Sequence, residues 1–161
     1  MIGNPHGTAS RATATQWAWL GALSFAVALI PAMASAQANP VVARDAWVRE
    51  APAGRAVTGM FLTLQNAGAT ARTLVSGRAS VGDTLELHEM KRENGMMRMA
   101  PVTGIAIPAG ASVELRPGGL HLMLFGLKKP LVAGDTVRVQ LTLDDKSIIE
   151  VAAPVRRMGG M

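Results

Sequence analysis

The chain has 161 residues, no cysteine, and 16 lysines and arginines against 11 aspartates and glutamates, a net charge of +5. Without cysteine there is no disulfide framework, no thiolate nucleophile, no CxxC redox pair, and no blue-copper electron-transfer site, which needs a cysteine ligand. The basic excess falls as scattered pairs, Lys91-Arg92, Lys128-Lys129 and Arg156-Arg157, with no RNA- or DNA-binding motif beside them, so nucleic acid is not an expected partner.

The first predicted element is an export signal. Arg11 precedes an apolar run from Trp17 to Ile30. That run is too short for a comfortable membrane span and suits the apolar segment of a signal peptide. Pro31 breaks it, and Ala34-Ser35-Ala36 offers a small-x-small cleavage site. Residues 1–36 are therefore expected to be a cleavable secretory signal. Residues 37–155 should form one domain, long enough for a real core and free of a second spanning segment. The tail, residues 156–161, lacks periodicity and is expected to be flexible.

Short strands punctuated by turns follow. The pattern predicts strands over Val41–Arg49, Val57–Leu64, Thr73–Arg78, Thr84–Lys91, Met96–Ala100, Ser112–Leu115, Leu120–Leu127, Thr136–Thr142 and Ser147–Val151. Turn residues separate them, among them Ala51-Pro52-Ala53-Gly54, Asn66-Ala67-Gly68, Pro117-Gly118-Gly119 and Asp144-Asp145. No stretch after the signal keeps a capped helical period. Regular turns between short strands argue for an all-β sandwich or barrel.

The chemistry gathers in two stretches. In "LELHEMKRENGMMRMAP", Leu85 to Pro101, the Asn94-Gly95 pair is a strong hairpin signal. If those two residues form the turn, Glu93 faces Met96, Met90 faces Met99, and His88 faces Pro101. Side chains alternate between faces along a strand, so His88, Met90, Met97 and Met99 share one face. Glu89 points to the other. In "PGGLHLMLFGL", Pro117 to Leu127, His121 and Met123 are two apart and so also share a face. Thioether sulfur is uncharged and soft, poor for zinc, magnesium or calcium and suited to Cu(I), with imidazole strengthening the site. Four neutral donors leave the ion's charge uncompensated, which favours a rim position and an exchangeable ion. Methionine alone on a strand is ordinary packing material, and Trp47 is expected in the core. The joint pattern is what points to a soft metal.

At these residues the sequence resembles the periplasmic copper chaperones called PCuAC. Their motif is a histidine, ten residues, a methionine, twenty-one residues, then His-x-Met. Here His88 is followed by ten residues and Met99, and then by twenty-one residues and His121-Leu122-Met123. "DAWVREAPAGRAVTGMFLTLQNAG" and "PGGLHLMLFGLKKPLVAGD" are also similar to the family, and the likeness runs from about Val41 to Val155. The resemblance implies a cupredoxin-like Greek-key β-sandwich in the periplasm, a monomer holding one Cu(I) through His88, Met99, His121 and Met123. Met90 matches the family's optional methionine and would stand beside the ligands, with Met97 as a possible auxiliary. The implied partners are copper donors or acceptors, such as the copper subunit of cytochrome c oxidase and Sco-type proteins. Phe61 stands where many members have tyrosine, which reads as a packing change. The tail is short and has no histidine, so a second copper site like that of longer-tailed members is not expected.

The expected function is thus a Cu(I) metallochaperone rather than an enzyme, with transfer by ligand exchange. Affinity should weaken in acid, because protons compete with the metal for imidazole. An alternative of another class is an exported interaction module with a methionine-rich docking surface and no physiological metal. A copper-dependent oxidase or reductase is a weaker third, since no acid–base group is evident beside the cluster.

Overall fold

The computed structural model describes residues 39–158. The expected signal peptide lies outside the described residues, as do residues 159–161 of the expected tail. Ten strands account for the domain: β1 (Val41–Arg49), β2 (Val57–Asn66), β3 (Arg72–Ala79), β4 (Thr84–Glu93), β5 (Met96–Pro101), β6 (Ile105–Ile107), β7 (Ser112–Leu115), β8 (Leu120–Phe125), β9 (Thr136–Leu143) and β10 (Ile148–Arg156). No helix occurs among the described residues, and none is long and apolar enough to cross a membrane.

Neighbouring strands run in the order β5-β4-β8-β2-β1-β10-β9-β3-β6. The first five form one layer and the last four the other. The layers join where β10 lies parallel to the end of β1, with Val48 opposite Val155 and Arg49 opposite Arg156. Every other ladder is antiparallel. β2 shares one edge between two partners, giving Val57–Met60 to β8 and Leu62–Gln65 to β7.

Alternation builds the core. In β9 and β10, Val137, Val139, Leu141 and Leu143 meet Ile149, Val151, Ala153 and Val155 on the inward face, while polar residues point out. Met60, Leu64, Leu122 and Leu124 bring the facing layer to it, each fully buried. A buried side chain of this size contributes roughly 1.5–3 kcal/mol. β2 departs from alternation: Thr58 to Leu62 are all buried. A continuous buried run means that both faces are covered, and the cover on the outer face is where the two histidines lie.

Two differences from the sequence reading have physical causes. β6 is absent from the predicted set, because three residues carry too little periodicity to stand out. β10 extends through Arg156 rather than stopping at Val151, because the edge of β1 and the Asp135 carbonyl, which accepts from Val155 N–H at 2.7 Å, supply its last backbone partners. β1 also holds a bulge. Its register against β2 slips by one residue between Arg44 and Trp47, and Asp45 adopts φ 51°. The extra residue turns Trp47 and Arg49 onto the outer face. Trp47, expected in the core, therefore lies outside the space between the layers. It stacks on Phe61 outside, with centroids 4.6 Å apart.

Candidate metal centre

The outer face of the β5-β4-β8-β2-β1 layer can be read as rows running across the strands. One row holds Trp47, Phe61, His121, His88 and Pro101. His121 stands directly opposite His88, and His88 directly opposite Pro101. The rings follow one another at 4.6 Å from Trp47 to Phe61, 6.4 Å to His121 and 5.9 Å to His88. The next row holds Arg49, Gly59, Met123 and Glu86, with Met123 opposite both Gly59 and Glu86. On the other side, Met90 faces Met99. The hairpin takes the register its sequence predicts: Asn94 and Gly95 turn with φ 50° and 79°, a pair of positive values that matches the right-handed twist of two strands.

His121 is fixed by the turn before its strand. Gly118 has φ 82°, and the chain closes through Gly119 N–H to the Arg116 carbonyl at 3.1 Å. The Gly119 carbonyl then accepts twice, from His121 Nδ1 at 2.8 Å and from the Met90 N–H at 3.2 Å. Donation from Nδ1 leaves Nε2 of His121 with its lone pair free. His88 is held the other way round. Its Nε2 donates to Glu86 Oε2 at 2.9 Å, and its Nδ1 is buried without a partner. Both imidazoles are buried, at 7% and 4% exposure for His88 and His121, whereas Met99 is 50% exposed. Two bare nitrogens on buried rings, with the half-exposed Met99 and the part-buried Met123 on the same face, make a neutral, soft donor set. The thioethers of such a set suit Cu(I) and are poor ligands for hard ions. Among the described residues, no three His, Cys, Asp or Glu side chains gather as a metal site would need, so the cluster exists only when thioethers are counted.

A cavity of about 550 Å³ opens over this face. His121, Met123, Met90 and Met99 line it together with Phe61 and Gly59. His88 lies against His121 but does not line the cavity. Met97 is opposite Arg92, half-exposed and outside the cavity. Met158 does line it. The β1–β2 connection supplies the far wall, with Arg49, Glu50, Pro52 and Arg55. Arg157 Nε donates to the Glu50 carboxylate at 2.9 Å and holds that carboxyl below its usual range. On the opposite face of the hairpin, where strand alternation puts Glu89, Lys91 pairs with it at 2.9 Å, which raises the lysine.

Glu86 is the residue that sequence reasoning missed. The signal was available: it is two residues before His88, hence on the same face by the rule that grouped the methionines. Arg49 carried no such signal, because the bulge that brings it to this face has no mark in the sequence.

Comparisons with known proteins bear on this arrangement. Residues 41–155 match the family model "LpqE-like: Putative lipoprotein LpqE-like". The "Putative lipoprotein Lxx21020" of Leifsonia xyli subsp. xyli is 39% identical over 154 residues, covering 93% of this chain and 91% of that one. Among solved structures, the solution structure of Cu(I)-DR1885 from Deinococcus radiodurans is 33% identical with a TM-score of 0.57, over 77% of this chain and 83% of that chain. The copper-bound PCuAC domain from PmoF2 superposes with a TM-score of 0.63 over 74% of this chain and 94% of that chain, at 16% identity, a likeness of fold alone. The fold is the cupredoxin-like sandwich that the sequence led us to expect.

Proposed function

The chain belongs to the LpqE-like family and shares its fold with copper-binding PCuAC domains, and from that premise we propose that it is a periplasmic Cu(I) carrier. His88 through Nδ1, His121 through Nε2, Met99 and Met123 hold one ion. The observation that carries this reading is the orphaned Nδ1 of His88, buried and without a hydrogen-bond partner beside a ring whose own Nε2 is bare. A buried acceptor left unpaired costs about 1–3 kcal/mol, a cost that a bound cation removes.

The chain's role in transfer is to hold, not to react. Glu86 and the Gly119 carbonyl fix the two ring orientations before the ion arrives. The carboxylate of Glu86 also supplies a negative charge near a donor set that has none of its own. Sulfur at the rim lets an incoming thiolate or imidazole attack while the histidines still hold, so the ion moves by ligand exchange without leaving for water. The family's lipoprotein description agrees with export. Delivery to the dinuclear copper site of cytochrome c oxidase, alongside Sco-type proteins, and action as a monomeric non-enzyme complete the proposal.

The test is Cu(I) titration against a competing chelator under anaerobic, reducing conditions, with X-ray absorption to count neighbours. About two sulfur and two nitrogen scatterers are expected of such a soft site. His88→Ala and Met123→Ala should each weaken binding with the fold intact, and unchanged affinity in both would remove the site. Met96 and Met97, about half exposed and outside the cavity, favour one competing reading, a methionine-rich docking surface used without metal. Partner binding that ignores copper would support it.

A further inference from the structure

The far wall of the cavity carries two cations that the copper donors do not explain. Arg49 and Arg55 both line the space that holds His121 and Met123. Among the described residues, neither has a carboxylate within 4.0 Å, although Arg72, Arg98, Arg116 and Arg157 each do. The carboxylate closest in sequence, Glu50, is occupied by Arg157. The acid in the row of Met123, Glu86, is occupied by His88. Arg49 is aimed by its backbone: the bulge turns it outward, and the Thr58 hydroxyl donates to its carbonyl at 2.7 Å. Gly59, between Arg49 and Met123 in the same row, has no side chain to separate them.

Loading a monovalent cation into a neutral donor set makes this cavity more positive still. A copper acceptor that brought its own cations to the rim would be repelled, and one that brought carboxylates would be drawn in. We infer that Arg49 and Arg55 receive carboxylates of the protein that exchanges copper with this site, so that the partner carries acidic side chains beside its own copper ligands. The inference rests on the carrier reading. It adds a chemical class of partner and names the residues that select it.

Two Cu(I) chelators with the same phenanthroline core test it: bathocuproine disulfonate, which is anionic, and neocuproine, which is uncharged. The loaded protein is mixed with each, and the rate of copper removal is followed by absorbance. The ratio of the anionic to the uncharged rate should be about tenfold lower in Arg49→Gln/Arg55→Gln than in the natural chain, in the range of electrostatic steering. The natural chain's ratio should also fall as salt is raised, while equilibrium Cu(I) affinity stays close to that of the natural chain. Arg138→Gln, an exposed change on β9 in the other layer, should leave the ratio alone. An unchanged ratio in the double variant, or an equal loss in Arg138→Gln, would overturn the inference and leave the carrier reading standing. A natural chain that cannot be loaded with Cu(I) would sink the carrier reading at the first step, and this inference with it.

Discussion

The Glu86 carboxylate accepts a hydrogen bond from Nε2 of His88 at 2.9 Å, two residues along the same strand face. It assigns the ring proton to Nε2 and turns Nδ1 toward the buried side, where nothing else meets it. Groups that orient a ligating histidine typically matter 10- to 100-fold in metal affinity. Because the Glu86 side chain is 46% exposed, the lower end is expected. Glu86→Gln should weaken Cu(I) binding about tenfold, read by chelator competition, with thermal stability nearly unchanged. Equal affinities would mean that the ring holds its orientation by packing alone.

Leu122 separates the two donors of β8 and points the other way, fully buried in the core. Leu122→Ala should cost about 2–5 kcal/mol by urea unfolding, the range for a large-to-small change in a packed core. His121 and Met123 stay on the outer face, so the folded fraction should still take up one equivalent of copper. A stable variant that has lost copper would show that the two faces of β8 are not independent.

The hairpin turn gives a milder case. Gly95 has φ 79° with open space where a Cβ would go. The strain of Gly95→Ala is therefore conformational rather than steric, about 1 kcal/mol. Loosening the turn loosens the opposition of Met90 and Met99. A several-fold faster release of Cu(I) is expected, with a smaller effect on the unfolding midpoint. An unaltered release rate would argue that Met99 is placed by the rest of β5.

Far from the copper face, Asp145 titrates below its usual range, first because the Ser147 hydroxyl and then the Ser147 N–H donate to it, with Arg72 adding attraction. A carboxyl depressed in the folded state contributes stability that is present above its unfolded value and lost as pH falls through its folded one. Ser147→Ala should therefore lower the melting temperature slightly at neutral pH. The gap from the natural chain should close in acid, below the ordinary carboxylate range. A gap that persists there would assign the effect to packing.

What the sequence revealed and what it hid divide along the range of the interaction. The β4–β5 hairpin register was legible because its turn, Asn94-Gly95, fixes pairing locally. His121 and Met123 were placed on one face by a spacing of two. The opposition of His88 to His121 was not legible, since β4 and β8 meet across a long connection and either strand could slide by two residues without changing its inward face. β6 was too short to show, and Trp47 was expected in the core because large aromatics ordinarily fill cores, while the bulge that turns this one outward leaves no mark in the sequence. The histidines' partners, a carboxylate and a backbone carbonyl, could be inferred only in the first case, from the same face rule applied to Glu86.

The β1 bulge makes the outward position of Trp47 and Arg49 depend on one backbone conformation. Paired regularly at its present length, the stretch from Arg44 to Trp47 would swing the indole and the Arg49 guanidinium toward the interior and leave the hydrophobic Val48 outside; the bulge absorbs the extra residue and keeps Trp47 opposite Phe61. An odd number of steps between two residues on one face is thus accommodated by backbone geometry at a single point, not by the ladder. The constraint falls on residue type at one position: Asp45 holds φ 51°, a conformation that Asn or Gly also adopts and that a β-branched residue adopts only with strain.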